Sequence, residues 1–149
     1  MRHIRIPAAA VFATLALALI PGSAAASPRD SMLAQINSVR AFVGVHPLRS
    51  SQALDGSSSR FASTLMRRDF FGHASSIRAG GRFRTLGEIL EMHRGYSPQI
   101  GATVRAWLHS PGHSRVLLSP RFYWIGLGRV AGSFNGRRTT IWVGQFGRK

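Results

Sequence analysis

No cysteine occurs anywhere in the chain. That single fact removes disulfide staples, thiolate metal sites and a cysteine nucleophile together. Whatever fold forms must have a core sufficient without such staples. The length permits one: 149 residues is a single domain's worth of chain. A domain near that size buries about two-thirds of the surface its unfolded chain exposes.

Not all of those residues are expected in the domain. Arg2 and Arg5 give a positive start, and Ala8 to Ile20 run apolar with only Thr14 between them. Pro21-Gly22 break the run before Ala24-Ala25-Ala26. A charged start, an apolar middle and a small-residue end are the three parts of a cleavable export signal. The run has 13 residues, short of the about 20 that a membrane span needs. The sequence therefore predicts a secretory signal over 1–26, cleavage after Ala26 and one domain over 27–149. The product is expected to be secreted, extracellular or periplasmic, and soluble once the signal is removed.

The formal charge is +15, and Arg2 and Arg5 carry two of those positives, which leaves +13 on the remainder. Only Asp30, Asp55, Asp69, Glu88 and Glu91 are acidic. Such an excess attracts polyanions: wall polymers, anionic lipid headgroups, nucleic acid. The arginines are spread from Arg29 to Arg148, so the competing reading is a solvated basic surface. No stacking platform or groove-reading motif accompanies them, and specific nucleic-acid binding is not expected.

Periodicity orders the rest. Leu33, Ile36, Val39 and Val43 fall at helical spacing over 31–43, with Asp30 placed to cap the first turn and Gly44 and Pro47 ending the helix. A second helix is expected over 51–69, with Leu54, Phe61, Ala62 and Leu65 on one face. A loop rich in Ser, Gly and Arg leads to a short element, 85–93, carrying Leu86, Ile89 and Leu90. Ser97-Pro98 reads as a cap and first turn for a helix presenting Ile100, Val104, Trp107 and Leu108. Ser110-Pro111 repeats that signal for a short turn through Leu118. After Pro120 the period changes to two, and Asn135-Gly136 marks a hairpin, because a type I′ turn needs positive φ at both central residues. Helices first and an antiparallel hairpin last make an α+β domain. Trp107, Trp124 and Trp142 are all expected on inward faces.

Groups able to do chemistry are few: His46, His73, His93, His109, His113 and the five acids. There is no H-E-x-x-H, no G-x-S-x-G and no phosphate-cradling glycine loop. His109 and His113 are four apart, but Pro111-Gly112 lies between them. Spacing alone assigns no metal site. His46 and His93 are expected in solvent, and His109 on the surface.

Seven segments, read in order, carry a resemblance. They are Ile36-Asn37-Ser38-Val39-Arg40, His46-Pro47-Leu48, Phe70-Phe71-Gly72-His73, Leu86-Gly87-Glu88, Ala106-Trp107-Leu108-His109-Ser110-Pro111-Gly112-His113, Phe122 to Arg129 and Ile141-Trp142-Val143-Gly144-Gln145-Phe146. Together they resemble the bacterial branch of the CAP superfamily (cysteine-rich secretory proteins, antigen 5, pathogenesis-related 1), whose domain is also called SCP. The resemblance covers 32–147. It implies a three-layer α-β-α sandwich with a small, mainly antiparallel sheet and a surface cleft. In that cleft, two histidines and one or two acids of the family converge and can hold a divalent ion. By position these are His73, Glu88 and His113, a donor set that suits zinc with one coordination position left for water.

The sequence departs from the family pattern twice. The usual G-E-N-I reads Gly87-Glu88-Ile89-Leu90, and a second glutamate that many members carry after the helix tryptophan is Ser110. Metal affinity is therefore expected to be modest. The resemblance implies an exported binding or interaction module, with lipid, glycan or another anionic envelope component as partner. The alternative is a metal-assisted hydrolase in which His73, Glu88 and His113 hold an ion that activates water. With Glu88 spent as a ligand, no general base is at hand for it, so no residue is assigned as catalytic.

Overall fold

A computed structural model describes residues 25–149. Nearly all of the expected export signal lies outside the described residues. Eight elements follow in order: α1 (Pro28–Phe42), β1 (Arg49–Ser50), α2 (Gln52–Arg67), β2 (Thr85–Arg94), α3 (Ile100–His109), α4 (Pro111–Leu117), β3 (Trp124–Phe134) and β4 (Arg137–Arg148). The sheet order is β1-β3-β4-β2, with β1 parallel to β3 and the other pairs antiparallel. Helix α2 packs on one face against β3 and β4, while α1, α3 and α4 cover the other. The fold is the expected α+β, three-layer α-β-α sandwich, and β3 and β4 are the C-terminal hairpin. Asn135 and Gly136 both take positive φ, +47° and +74°, as the turn requires.

Alternation along the strands divides the core in two. Ile89, Ile125, Leu127, Trp142 and Phe146 meet Met32 and Ile36 of α1, Trp107 of α3 and Leu117 of α4. Leu90, Ile141 and Val143 meet Ala62, Leu65 and Met66 of α2 on the opposite face. Helix α2 lies so close to β3 that a Cβ on Gly126 would stand 2.0 Å from the Leu54 carbonyl carbon, and one on Gly128 2.3 Å from the backbone of Ser58. No other residue fits at either position. Strand β1 is only two residues long, so Leu127 N–H has no strand partner and donates instead to Asp55 Oδ1 at 2.9 Å.

Five local expectations are corrected. In α1 the fully buried row is Met32, Ile36 and Arg40, while Val43 is exposed. The apolar period pointed one residue away from the true face because a charged residue occupies its third position. Arg40 is tolerated because Nε donates to His46 O (2.9 Å), Nη1 to Leu117 O (2.7 Å) and Ser119 O (3.1 Å), and Nη2 to Phe122 O (3.3 Å). One turn earlier, Asn37 clamps Leu48 by accepting from its N–H and donating to its carbonyl. The helix is capped by Ser27, whose Oγ accepts from Asp30 N–H, rather than by Asp30 itself. Pro98 does not open α3, which starts at Ile100 behind a left-handed Gln99, because the Pro98 carbonyl accepts from the Trp142 indole at 2.7 Å. Trp107 and Trp142 are fully buried, but Trp124 is half-buried at the sheet end, with Lys149 4.8 Å from its ring. The fifth correction is to the 85–93 element, which is the ten-residue edge strand β2.

Candidate functional site

The strand assignment of β2 decides which of its acids can work together. Successive side chains point to opposite faces, so Glu88 shares a face with Leu90 and α2, and Glu91 shares one with Ile89, α3 and α4. Glu88 stands opposite Gln145 of β4 in the sheet register. Its side chain is 6% exposed and accepts three hydrogen bonds. Gln145 Nε2 donates to Oε2 at 2.8 Å, and Ala74 N–H and His73 Nδ1 donate to Oε1 at 2.9 and 3.1 Å. One carboxylate therefore fastens the 68–84 loop to the sheet.

The same bond fixes His73. A carboxylate only accepts, so Nδ1 carries a proton and Nε2 is the acceptor in the neutral ring. The ring is exposed and stands 6.0 Å from that of His113, centroid to centroid, at 61°. His113 enters from α4, whose start at Ser110-Pro111 follows the sequence signal. Its Nδ1 is buried without a partner. Burial, then the neighbouring His73, push its pKa below the ordinary histidine value, and Glu91 opposes them. His73 thus touches both of the other residues singled out from sequence: Glu88 through a hydrogen bond and His113 through ring contact.

A metal ion would ask more of this donor set than it offers. Both oxygens of Glu88 already accept hydrogen bonds from the protein. Among the described residues no three His, Asp or Glu side chains are arranged to hold a metal. What remains is two imidazoles, with Glu88 behind one of them in the orienting position that carboxylates take around metal-binding histidines. Two protein ligands fall short of the three that a catalytic zinc site keeps. These residues do not fit a three-ligand zinc centre.

Of the other histidines, His46 and His93 are more buried than expected, while His109 is on the surface as expected. His46 is half-buried, stacked on Tyr123 at 4.2 Å, with Nε2 2.9 Å from Pro120 O. His93 is half-buried against Thr103 Oγ1 at 2.7 Å. His109 is exposed, its Nδ1 against Arg105 O. Gln145 is the site residue that sequence reasoning left without a role. The signal was present: one amide inside the apolar run Ile141 to Phe146 must find partners when buried.

Known proteins give this geometry its relatives. A family profile described as "CAP: Cysteine-rich secretory protein family" matches residues 33–146. The uncharacterized protein YkwD of Bacillus subtilis is 26% identical over 119 residues, 74% of this chain and 43% of that protein, so the chain spans less than half of that relative's length. An outer surface protein from Borrelia burgdorferi superposes with a TM-score of 0.69 at 21% identity, over 82% of this chain and 92% of that one. An extracellular protein containing a SCP domain from Bacillus anthracis gives 0.67 at 19% identity, over 82% and 40%. Venom allergen-like protein 4 of Schistosoma mansoni gives 0.64 at 12%, over 83% and 91%. With the profile running through nearly all of the domain and the fold matching theirs, this cysteine-free chain belongs to the CAP, or cysteine-rich secretory protein, family.

Proposed function

We propose that the chain is an exported binding module that works at the cell envelope or in the medium, and that it takes an anionic envelope component as its partner. One observation carries this reading: every acid in the domain is occupied by a neutral donor or a histidine. Asp30 accepts from Ser27 Oγ, Asp55 from Ser50 Oγ and Leu127 N–H, Asp69 from Asn135 N–H, and Glu91 from Met92 N–H. Glu88 is taken up by Gln145, Ala74 and His73. The His73–Glu88 pair is the sole salt bridge among the described residues. The arginines consequently have no internal counter-ions, and their field is directed outward. Two matched structures are described as an outer surface protein and an extracellular protein, which agrees with export. Among the described residues no helix is long and apolar enough to cross a membrane.

Nothing in the site favours the hydrolase. Glu88 holds a loop, with both of its oxygens already accepting hydrogen bonds, so it is not free to serve as a general base.

Sedimentation with isolated envelopes tests the reading. Exposed charges are screened over about 10 Å at 0.1 M salt, so retention should fall steeply as salt rises. Reversing Arg67, Arg68, Arg137 and Arg138 to Glu should abolish retention, and replacing His73 and His113 together should leave it unchanged. Retention that survives high salt and the reversals but vanishes with the histidines would transfer recognition to the cleft.

A further inference from the structure

Behind the Glu88 clamp, on the face away from His113, α2 and the 68–84 loop line an open cavity of about 180 Å³. Its walls include Ser57, Arg60 and Thr64 from the helix and Ser76 and Arg78 from the loop, with Gln145 at its base. Three observations point to a ligand. Neither Arg60 nor Arg78 has a carboxylate partner, since the single salt bridge among the described residues lies elsewhere. The Arg60 guanidinium lies back over Gly56, one turn earlier, beside the turn that carries Ser57. Most telling is Gln145, which is 1% exposed: its Nε2 is spent on Glu88, and its Oε1 is buried with no hydrogen-bond partner. An orphan acceptor in such a place is destabilising, and a ligand bearing a donor would relieve it.

The chemistry of the wall defines that ligand. Two guanidinium forks from separate elements ask for more oxygens than one carboxylate supplies, because a single fork already takes both carboxylate oxygens. A phosphate has enough. The acceptor at the base asks for an O–H or N–H a short distance from the anion, and the serine and threonine hydroxyls can bond further hydroxyls. The volume lies below the roughly 300–1,000 Å³ that houses a drug-sized molecule, so a small group is admitted rather than a whole large one.

We propose that this cavity binds a phosphate ester of a small polyol, with the phosphate between Arg60 and Arg78 and a hydroxyl donating to Gln145 Oε1. The proposal rests on the anionic-partner reading and names the chemical unit recognised. Polyol phosphates occur both as free esters and as lipid headgroups, and the two sources are separable.

Titration calorimetry with sn-glycerol 3-phosphate, inorganic phosphate and glycerol tests it, together with the NMR signals of the Gln145 side-chain amide. Glycerol phosphate should bind at least about tenfold more tightly than inorganic phosphate, the worth of one added hydrogen bond of about 1.4 kcal/mol. Glycerol alone should not bind. The Gln145 resonances should shift on saturation. The double variant Arg60→Ser/Arg78→Ser, altered only at exposed positions, should lose most of the affinity. Arg115→Ser/Arg121→Ser, exposed and outside the cavity lining, should keep it. Equal affinity for the two phosphates, equal losses in the two double variants or unmoved Gln145 signals would each overturn the cavity as a site. Vesicles of phosphatidylglycerol displace the probe if a lipid headgroup reaches the cavity and leave it bound if only the free ester does; either result upholds the site and assigns its source. Because the probe is soluble, its failure to bind would end this proposal without touching the envelope sedimentation result.

Discussion

Arg40 and Glu88 are both buried charges, and the domain holds them in opposite ways. Arg40, fully buried, is surrounded by four backbone carbonyls from 46, 117, 119 and 122. Glu88 is surrounded by donors, of which only Ala74 N–H is backbone; His73 and Gln145 contribute side chains. Carbonyls neither titrate nor depend on which residue carries them, so the Arg40 contacts are the same at every pH. Burial draws its guanidinium below the ordinary arginine value, yet arginine stays charged throughout. The Glu88 contacts instead depend on two particular side chains, His73 and Gln145. The first charge builds scaffold, and the second ties a loop and an exposed histidine to the sheet.

The sharpest way to break this contrast is to remove Arg40. Arg40→Met strands four carbonyls, two of them in bonds that are fully buried, and should cost about 3–5 kcal/mol, since each unsatisfied buried acceptor costs about 1–3 kcal/mol, read as a lower urea midpoint. Arg40→Lys should restore less than half, because an ammonium cannot span the fork. A near-neutral Arg40→Met would mean that water or a shifted loop replaces the guanidinium. Next in size is Glu88→Gln, which weakens the grip on His73 and Ala74 and should cost about 1–3 kcal/mol. Here the effect should be local: hydrogen exchange at the Ala74 amide should speed up well before exchange in β4. Uniform acceleration across the sheet would make Glu88 scaffold too.

The smallest effect concerns pH. His113 has its folded pKa lowered by burial and by His73, with Glu91 opposing. Above the ordinary value near 6.5 the ring is neutral in both states, and its contribution to stability is fully present. As pH falls below that value, the unfolded chain takes up a proton that the folded chain resists, and stability declines until the folded pKa is passed. The urea midpoint should drop between pH 7.5 and 5 by less than either substitution costs, and His113→Asn should flatten that part of the drop. An unchanged slope in the variant would assign the pH response to other groups.

How much of this was legible in the sequence varies by element. The Asn135-Gly136 turn and the Ser110-Pro111 helix start could be read directly, since each depends on local backbone chemistry alone. The buried face of α1 could not, because Arg40 looks like a surface residue until its four distant carbonyls are known. Strand β2 was ambiguous for a related reason: both Ile89 and Leu90 are buried, on opposite faces, which blurs the two-residue alternation. The histidines and Glu88 could be singled out through the family resemblance. That Glu88 would be consumed by Ala74, His73 and Gln145 could not, since only the sheet register brings 88 and 145 face to face.

The Arg40 contacts also bear on how the chain reaches its native state. Leu117 lies 77 residues further along the sequence and Phe122 82. The first helix is thus locked by groups that are among the last third of the chain to be made. Closing so long a loop is entropically slow, and no fragment ending before Phe122 can complete the guanidinium's bonds. A nascent or threading chain consequently carries α1 undocked until nearly all of the domain is available, and the final seating of α1 is all-or-none.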